Sequence, residues 1–268
     1  MRFERQITRG LKPGIVLLIL LLVSPAEAQE AESDDQSLAQ AASDPTASLM
    51  NVQLSDWYTA NYWNLPDKSA NQFVIRTAYP FAWGKTKHIM RLTVPFVTHH
   101  PALSSGLSDI TLFDLMVFDK SWGRWGVGPV ALLPTGGSNR GAEKWGLGPA
   151  VGFVMAKPKL IFGIFNQNIF TVAGDDDRPD VNVSIIQPIV NRQLGGGWAV
   201  GSSEMSVTYN WDTSAWSSLP LGASILKMTK PGGIPVQWSF QYEYNFADDQ
   251  VVAKNLFRFT AKLLFPTK

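Results

Sequence analysis

The side chains able to do chemistry in this chain are bases, acids and amides that recur at alternate positions of otherwise apolar segments. Arg91 stands in HIMRLTVPFV, Gln241 and Glu243 in PVQWSFQYEYN, Arg258 and Lys262 in NLFRFTAKLLF, and Arg76 in the run just before Tyr79. Alternate residues of an extended strand share a face, so each segment carries its polar set on one side and Phe, Tyr, Trp, Leu or Val on the other. Guanidinium and ammonium groups gathered on such a face attract carboxylates, the guanidinium through a planar fork that meets both oxygens. The same groups also suit a second use, in which bases and acids pair with one another and fill an interior. A turn centred near Gly84 sets Arg76 roughly opposite Arg91, and two like charges that close call for an acid, which Asp109 or Asp114 on the next strand could supply. The expected site is therefore Arg76, Arg91, Asp109, Gln241, Glu243, Arg258 and Lys262.

Catalytic and metal chemistry has little to stand on. There are three histidines and no cysteine, which removes disulfides, thiolate metal sites and a lipoprotein anchor. The neighbours His99 and His100 point to opposite sides of an extended chain and have no carboxylate at ligand spacing. Asp175, Asp176, Asp177 and Asp180 surround Arg178 without the spacing of a calcium loop, and they read as a solvated acidic turn. A hydrolase needs a base beside its nucleophile, yet no histidine stands in a recognisable serine motif, and no phosphate loop or paired-carboxylate motif occurs. No cofactor and no bound metal are expected.

Composition and the N-terminus place the chain. Lys and Arg number 23 against 22 Asp and Glu, a balance that argues against a nucleic-acid partner, while 17% charged and 12% aromatic residues are unusual for a cytoplasmic protein. Arg2, Arg5, Arg9 and Lys12 precede the apolar run IVLLILLLV, and Ala26 and Ala28 supply a small-x-small cleavage signature. Residues 1–28 are thus expected to be a signal peptide, its apolar run too short for the ~20 residues of a spanning helix. Residues 29–48 are acidic and nearly free of large apolar side chains, which predicts a flexible leader.

Residues 49–268 hold no long apolar run, but turn signals divide them into about twelve short alternating segments. Connections such as WGKT, DKSWGR, AKPK and LGGG are short, and they alternate with longer polar ones such as HHPALSSG, TGGSNRGAE and AGDDDRPD. Eight of the ten Trp fall near segment ends, as two aromatic girdles would require. The chain also ends on an amphipathic strand closing at Phe265, the usual ending of barrels handled by the outer-membrane assembly machinery. These features predict an all-β fold, an antiparallel transmembrane β-barrel of about twelve strands in the outer membrane of a Gram-negative bacterium. In it the polar faces line the lumen. Size does not say whether that lumen is open, because about eight strands are filled by side chains and about sixteen leave a channel.

A resemblance adds to this reading. GLSDITL at 106–112, WGRWGVGPVALLPT at 122–135, KWGLGPAVG at 144–152, AGDDDRPDVN at 173–182, QPIVN at 187–191 and LLFP at 263–266 are similar to the outer-membrane family named for the meta-pathway of phenol degradation. Members often show Gly-Leu-Gly-Asp where this chain has Ser108. The resemblance implies a barrel that passes small hydrophobic or aromatic solutes through the outer-membrane bilayer. A structural or adhesive barrel with an occluded lumen remains the alternative, and an outer-membrane lipid hydrolase a third, since a twelve-stranded phospholipase architecture exists.

Overall fold

The computed structural model describes residues 33–265, so the expected signal peptide of residues 1–28, with its cleavage signature at Ala26 and Ala28, lies outside the described residues. After helix α1 (Ser33–Ala42) the chain runs up and down through β1 (Met50–Trp63), β2 (Ala70–Trp83) and β3 (Thr86–His99). Two residues, β4 (Gly106–Leu107), lead into β5 (Ile110–Lys120), followed by β6 (Gly123–Leu133), β7 (Lys144–Lys157), β8 (Leu160–Gly174) and β9 (Val183–Gly195). The next stave is broken into β10 (Trp198–Ser202) and β11 (Val207–Asn210), and the one after into β12 (Ala215–Ser218) and β13 (Pro220–Thr229). Finally β14 (Val236–Asn245) and β15 (Val252–Phe265) complete the sheet, and β15 pairs with β1. The result is a closed antiparallel barrel of twelve staves, as the spacing of turn signals predicts.

Two-residue turns join β2 to β3, β5 to β6, β7 to β8 and β9 to β10 at one end of the barrel. Between β9 and β10 both turn residues, Gly196 and Gly197, have positive φ of 58° and 74°, the geometry that lets a tight hairpin follow the twist of its strands. At the opposite end the connections are longer, for example between β6 and β7 and between β8 and β9.

Alternation divides the wall into two faces. Tyr58, Tyr79, Trp145, Leu147, Phe153, Phe240 and Phe259 point outward and are exposed, as a lipid-facing wall requires. Two polar pairs stand on that outer face: Asn71 donates to Asp56 at 2.8 Å, and Asp114 Oδ2 meets His88 Nδ1 at 2.8 Å. Of the two Trp that lie away from predicted segment ends, Trp238 joins the outer face and donates to Thr229 Oγ1, whereas Trp57 points inward. On the inner side of β2 to β9, Ile89, Phe113, Leu115, Val130, Ala150 and Phe165 form an apolar cluster.

The acidic leader departs from expectation. Within it, Ser33–Ala42 is helical, and Ala39, Ala42 and Ala47, joined by Leu49 just beyond, bury against Met228 and Leu264. Lack of large apolar residues marks a segment unable to build its own core, but a ready-made barrel mouth needs only small ones. Gln40 donates to Lys157 O at 2.9 Å, Lys262 to Ala42 O at 2.9 Å, and Arg124 pairs with Asp44, so the segment is seated at the end of the two-residue turns.

The sequence WGxGP occurs twice, at 125–129 and at 145–149, and its second glycine meets a neighbouring strand each time. At Gly128 an added Cβ would come within 1.8 Å of Asp114 O, and at Gly148 within 1.9 Å of Asn168 O, so neighbouring strands approach over bare backbone. Gly128→Ala therefore forces β5 and β6 apart at an expected cost of about 1–3 kcal/mol or more. It should show as a reduced folded band when unboiled, refolded protein is run on a denaturing gel.

Candidate functional site

Inward residues of β1, β2, β3, β14 and β15 form one polar wall of the lumen. Register places Gln53 opposite both Arg76 and Lys262, Gln241 opposite Arg258, and Gln237 opposite Lys262. Arg76 faces Thr93 and Arg91 faces Ala78, so the two arginines are offset by two residues rather than directly opposed. Of the expected set, Arg76, Arg91, Gln241, Glu243, Arg258 and Lys262 come together on this wall.

Asp109 does not join them. It sits at the long-loop end, where its carboxylate accepts the backbone N–H groups of Gly136 at 2.9 Å and Ala142 at 2.6 Å and so pins the β6–β7 loop. Asp114 is on the outer face. Alternation was ambiguous around both, and only the register of β5 on β3, with Met90 opposite Asp114, assigns the side. The acid that the arginines need comes instead from Glu204, in the break between β10 and β11.

Glu204 was missed because it belongs to no alternating set. A carboxylate following two serines midway through a stave was its sequence signal. The broken strand turns this segment into the lumen, where Glu204 Oε2 meets Arg76 Nη1 at 2.6 Å. Gln241 Oε1 accepts the Glu204 N–H at 2.9 Å, and Arg258 donates to the Glu204 carbonyl at 3.2 Å. Arg258 also pairs with Glu243, side chains only 4% and 5% exposed. Trp57 lies between the two guanidinium groups, 4.4 Å from Arg258 and 5.8 Å from Arg76, which adds cation–π attraction.

Charge in this cluster does not balance. Arg76, Arg91, Arg258 and Lys262 face Glu204 and Glu243, while Asp44 is engaged by Arg124. Arg91 pairs with no carboxylate among the described residues. Its guanidinium packs 5.4 Å from the Phe113 ring, and its Nε has no hydrogen-bond partner. Beside it, between the leader segment and the Glu204 turn, is a cavity of about 110 Å³ bounded by Arg76, Arg91, Lys262 and Gln53 on one side and by Phe165 and Ile189 on the other.

The histidines lead elsewhere. His100 accepts the N–H groups of Ala102 and Leu103 at Nδ1, both at 3.1 Å, and partial burial with His99 alongside lowers its pKa, as a neutral acceptor requires. His88 lies on the outer face between Asp114 and Thr86 Oγ1, the latter at 2.9 Å. Thr86 Oγ1 also lies 2.7 Å from Trp83 O, so its hydroxyl is shared between the turn and the imidazole.

No protein-family model matches the chain, and no curated protein matches it in sequence. Among solved structures, an outer membrane channel from Pseudomonas putida F1 superposes with a TM-score of 0.59 at 13% identity, covering 83% of this chain and 99% of that one. The fold is that of an outer-membrane β-barrel. NanC porin superposes with a TM-score of 0.52 at 11% identity, over 80% of this chain and 98% of its own. At such identities the likeness extends to the barrel architecture, and the lumenal side chains have to be argued from this chain alone.

The Arg258–Glu243 pair is the most deeply buried of the lumenal ion pairs, and removing one partner leaves a bare charge. Glu243→Gln is expected to destabilise the barrel by about 3–5 kcal/mol. The double variant Glu243→Gln with Arg258→Gln should recover part of that loss. Urea unfolding in micelles, followed by Trp fluorescence, measures both.

Proposed function

We propose that this protein is a channel of the outer membrane through which small hydrophobic or aromatic compounds pass without energy input. The observation that carries the reading is the two-sided lumen: an apolar wall around Phe113, Phe165 and Ile189 faces a basic polar one, with a cavity left between them. An aromatic solute can keep its ring against the first while its polar substituent meets the second. The outward aromatic face and the likeness to solved outer-membrane channels support the location. The sequence resemblance to the phenol meta-pathway family supports the solute class. Export by a signal peptide cleaved after Ala28, and delivery by the barrel assembly machinery through the terminal strand ending at Phe265, belong to the same proposal.

One observation favours the second reading, a barrel with an occluded lumen. The α1–Pro45 segment floors the cavity, and its contacts with Lys157, Lys262 and Arg124 hold it across the end of the two-residue turns. In the channel reading this segment is a removable plug: it adds no strand to the sheet and its buried residues are mostly Ala. Planar-bilayer recording separates the two. Protein lacking residues 29–48 is expected to give discrete steps of larger conductance than the chain that retains them. A folded barrel silent with and without the segment would overturn the channel and leave the structural role.

A further inference from the structure

The lumenal cavity has the makings of a binding site rather than a mere passage. Arg91 brings a charge that no carboxylate among the described residues pairs with, since the nearby Glu204 is held by Arg76, and Lys262, whose ammonium donates to the Ala42 carbonyl at 2.9 Å, brings another. Across the cavity stands Phe165, tilted by 46° against Phe113 with ring centroids 5.1 Å apart, and Phe113 is the ring against which Arg91 itself packs. Ser203 Oγ, also on the cavity wall, is buried without a hydrogen-bond partner. Buried donors left unmet are costly, so a site with several of them facing one space is complementary to a ligand that supplies acceptors.

We infer that this cavity binds one small aromatic carboxylate, its carboxylate on Arg91 and Lys262 and its ring against Phe165. The inference rests on the proposed channel reading for the route by which a ligand arrives, and it deepens that reading by naming an acid as the solute held. A guanidinium flanked by an aromatic ring suits a planar carboxylate lying in the plane of a ring, since fork and face are engaged together. Arg76 is not available for the same task because Glu204 already occupies it. Plug residues Ser43 and Asp44 line the cavity's floor, so a bound ligand sits directly above the segment proposed to move.

The test is equilibrium binding to the refolded full chain in detergent, read by calorimetry and by quenching of Trp fluorescence, with benzoate, benzyl alcohol, acetate and inorganic phosphate as probes. Benzoate is expected to bind, with each of the other three weaker by about tenfold or more, because each lacks either the charge or the ring. Arg91→Met should weaken benzoate by at least about tenfold and leave benzyl alcohol unchanged. Equal binding of acetate or phosphate would overturn the site as a general anion pocket, and equal binding of benzyl alcohol would overturn it as a merely apolar one. Should Arg91→Met fail to refold, the ligand series on the unaltered chain decides by itself. Conductance without benzoate binding would sink this inference and leave the channel standing, whereas binding by a barrel that never conducts would do the reverse.

Discussion

Between β15 and β1 the ladder runs from Met50 opposite Phe265 to Trp63 opposite Val252, and with that pairing the sheet has no edge. A wall facing hydrocarbon needs this, because an unpaired N–H or C=O there finds no water to bond. Once the sheet closes, alternation becomes a strict partition. Every second residue is committed to the outside and the others to a narrow interior, and a polar residue has no neutral position between them. Bases and acids that would scatter over the surface of a soluble domain are thereby concentrated in one small volume.

That concentration explains the broken stave. Four bases on neighbouring strands would repel one another in a low-dielectric interior, and Glu243 alone cannot answer them. Interrupting the pairing after Ser202 frees a short segment to bend inward and carry Glu204 to Arg76. Irregular backbone is tolerated at membrane depth where it is buried in protein, and here the freed groups are met by Gln241 and Arg258. The residual positive charge around Arg91 sits next to an aromatic pair, so the interior is asymmetric in both charge and polarity.

The N-terminal segment follows from the same geometry. The twelve-stave barrel leaves room at its mouth for a helix whose inward residues are Ala. Its polar anchors attach to lumenal bases already fixed by the wall: Lys262 caps its carbonyl end and Arg124 holds Asp44. The segment and the cavity are thus built on shared residues, Lys262 and Asp44 among them.

Much of the architecture was legible in the sequence because it depends on local period. The alternation in PVQWSFQYEYN and NLFRFTAKLLF, the short and long connections and the Trp near strand ends all report strand, face and end without reference to distant residues. The inward placement of Arg76, Arg91, Gln241, Glu243, Arg258 and Lys262 follows from that period together with the cost of charge against lipid. Which acid answers which base does not. Asp109 and Asp114 were candidates by proximity in sequence, but cross-strand register sends one to a loop and the other outside, while Glu204 arrives from a stave 128 residues away from Arg76. The leader likewise holds no core of its own, and its helix exists because a barrel mouth is there to receive Ala39 and Ala42. Periodicity determined the wall of this protein, and only tertiary structure decided the contents of its lumen, because ion pairs and plugs form between segments that share space and no sequence neighbourhood.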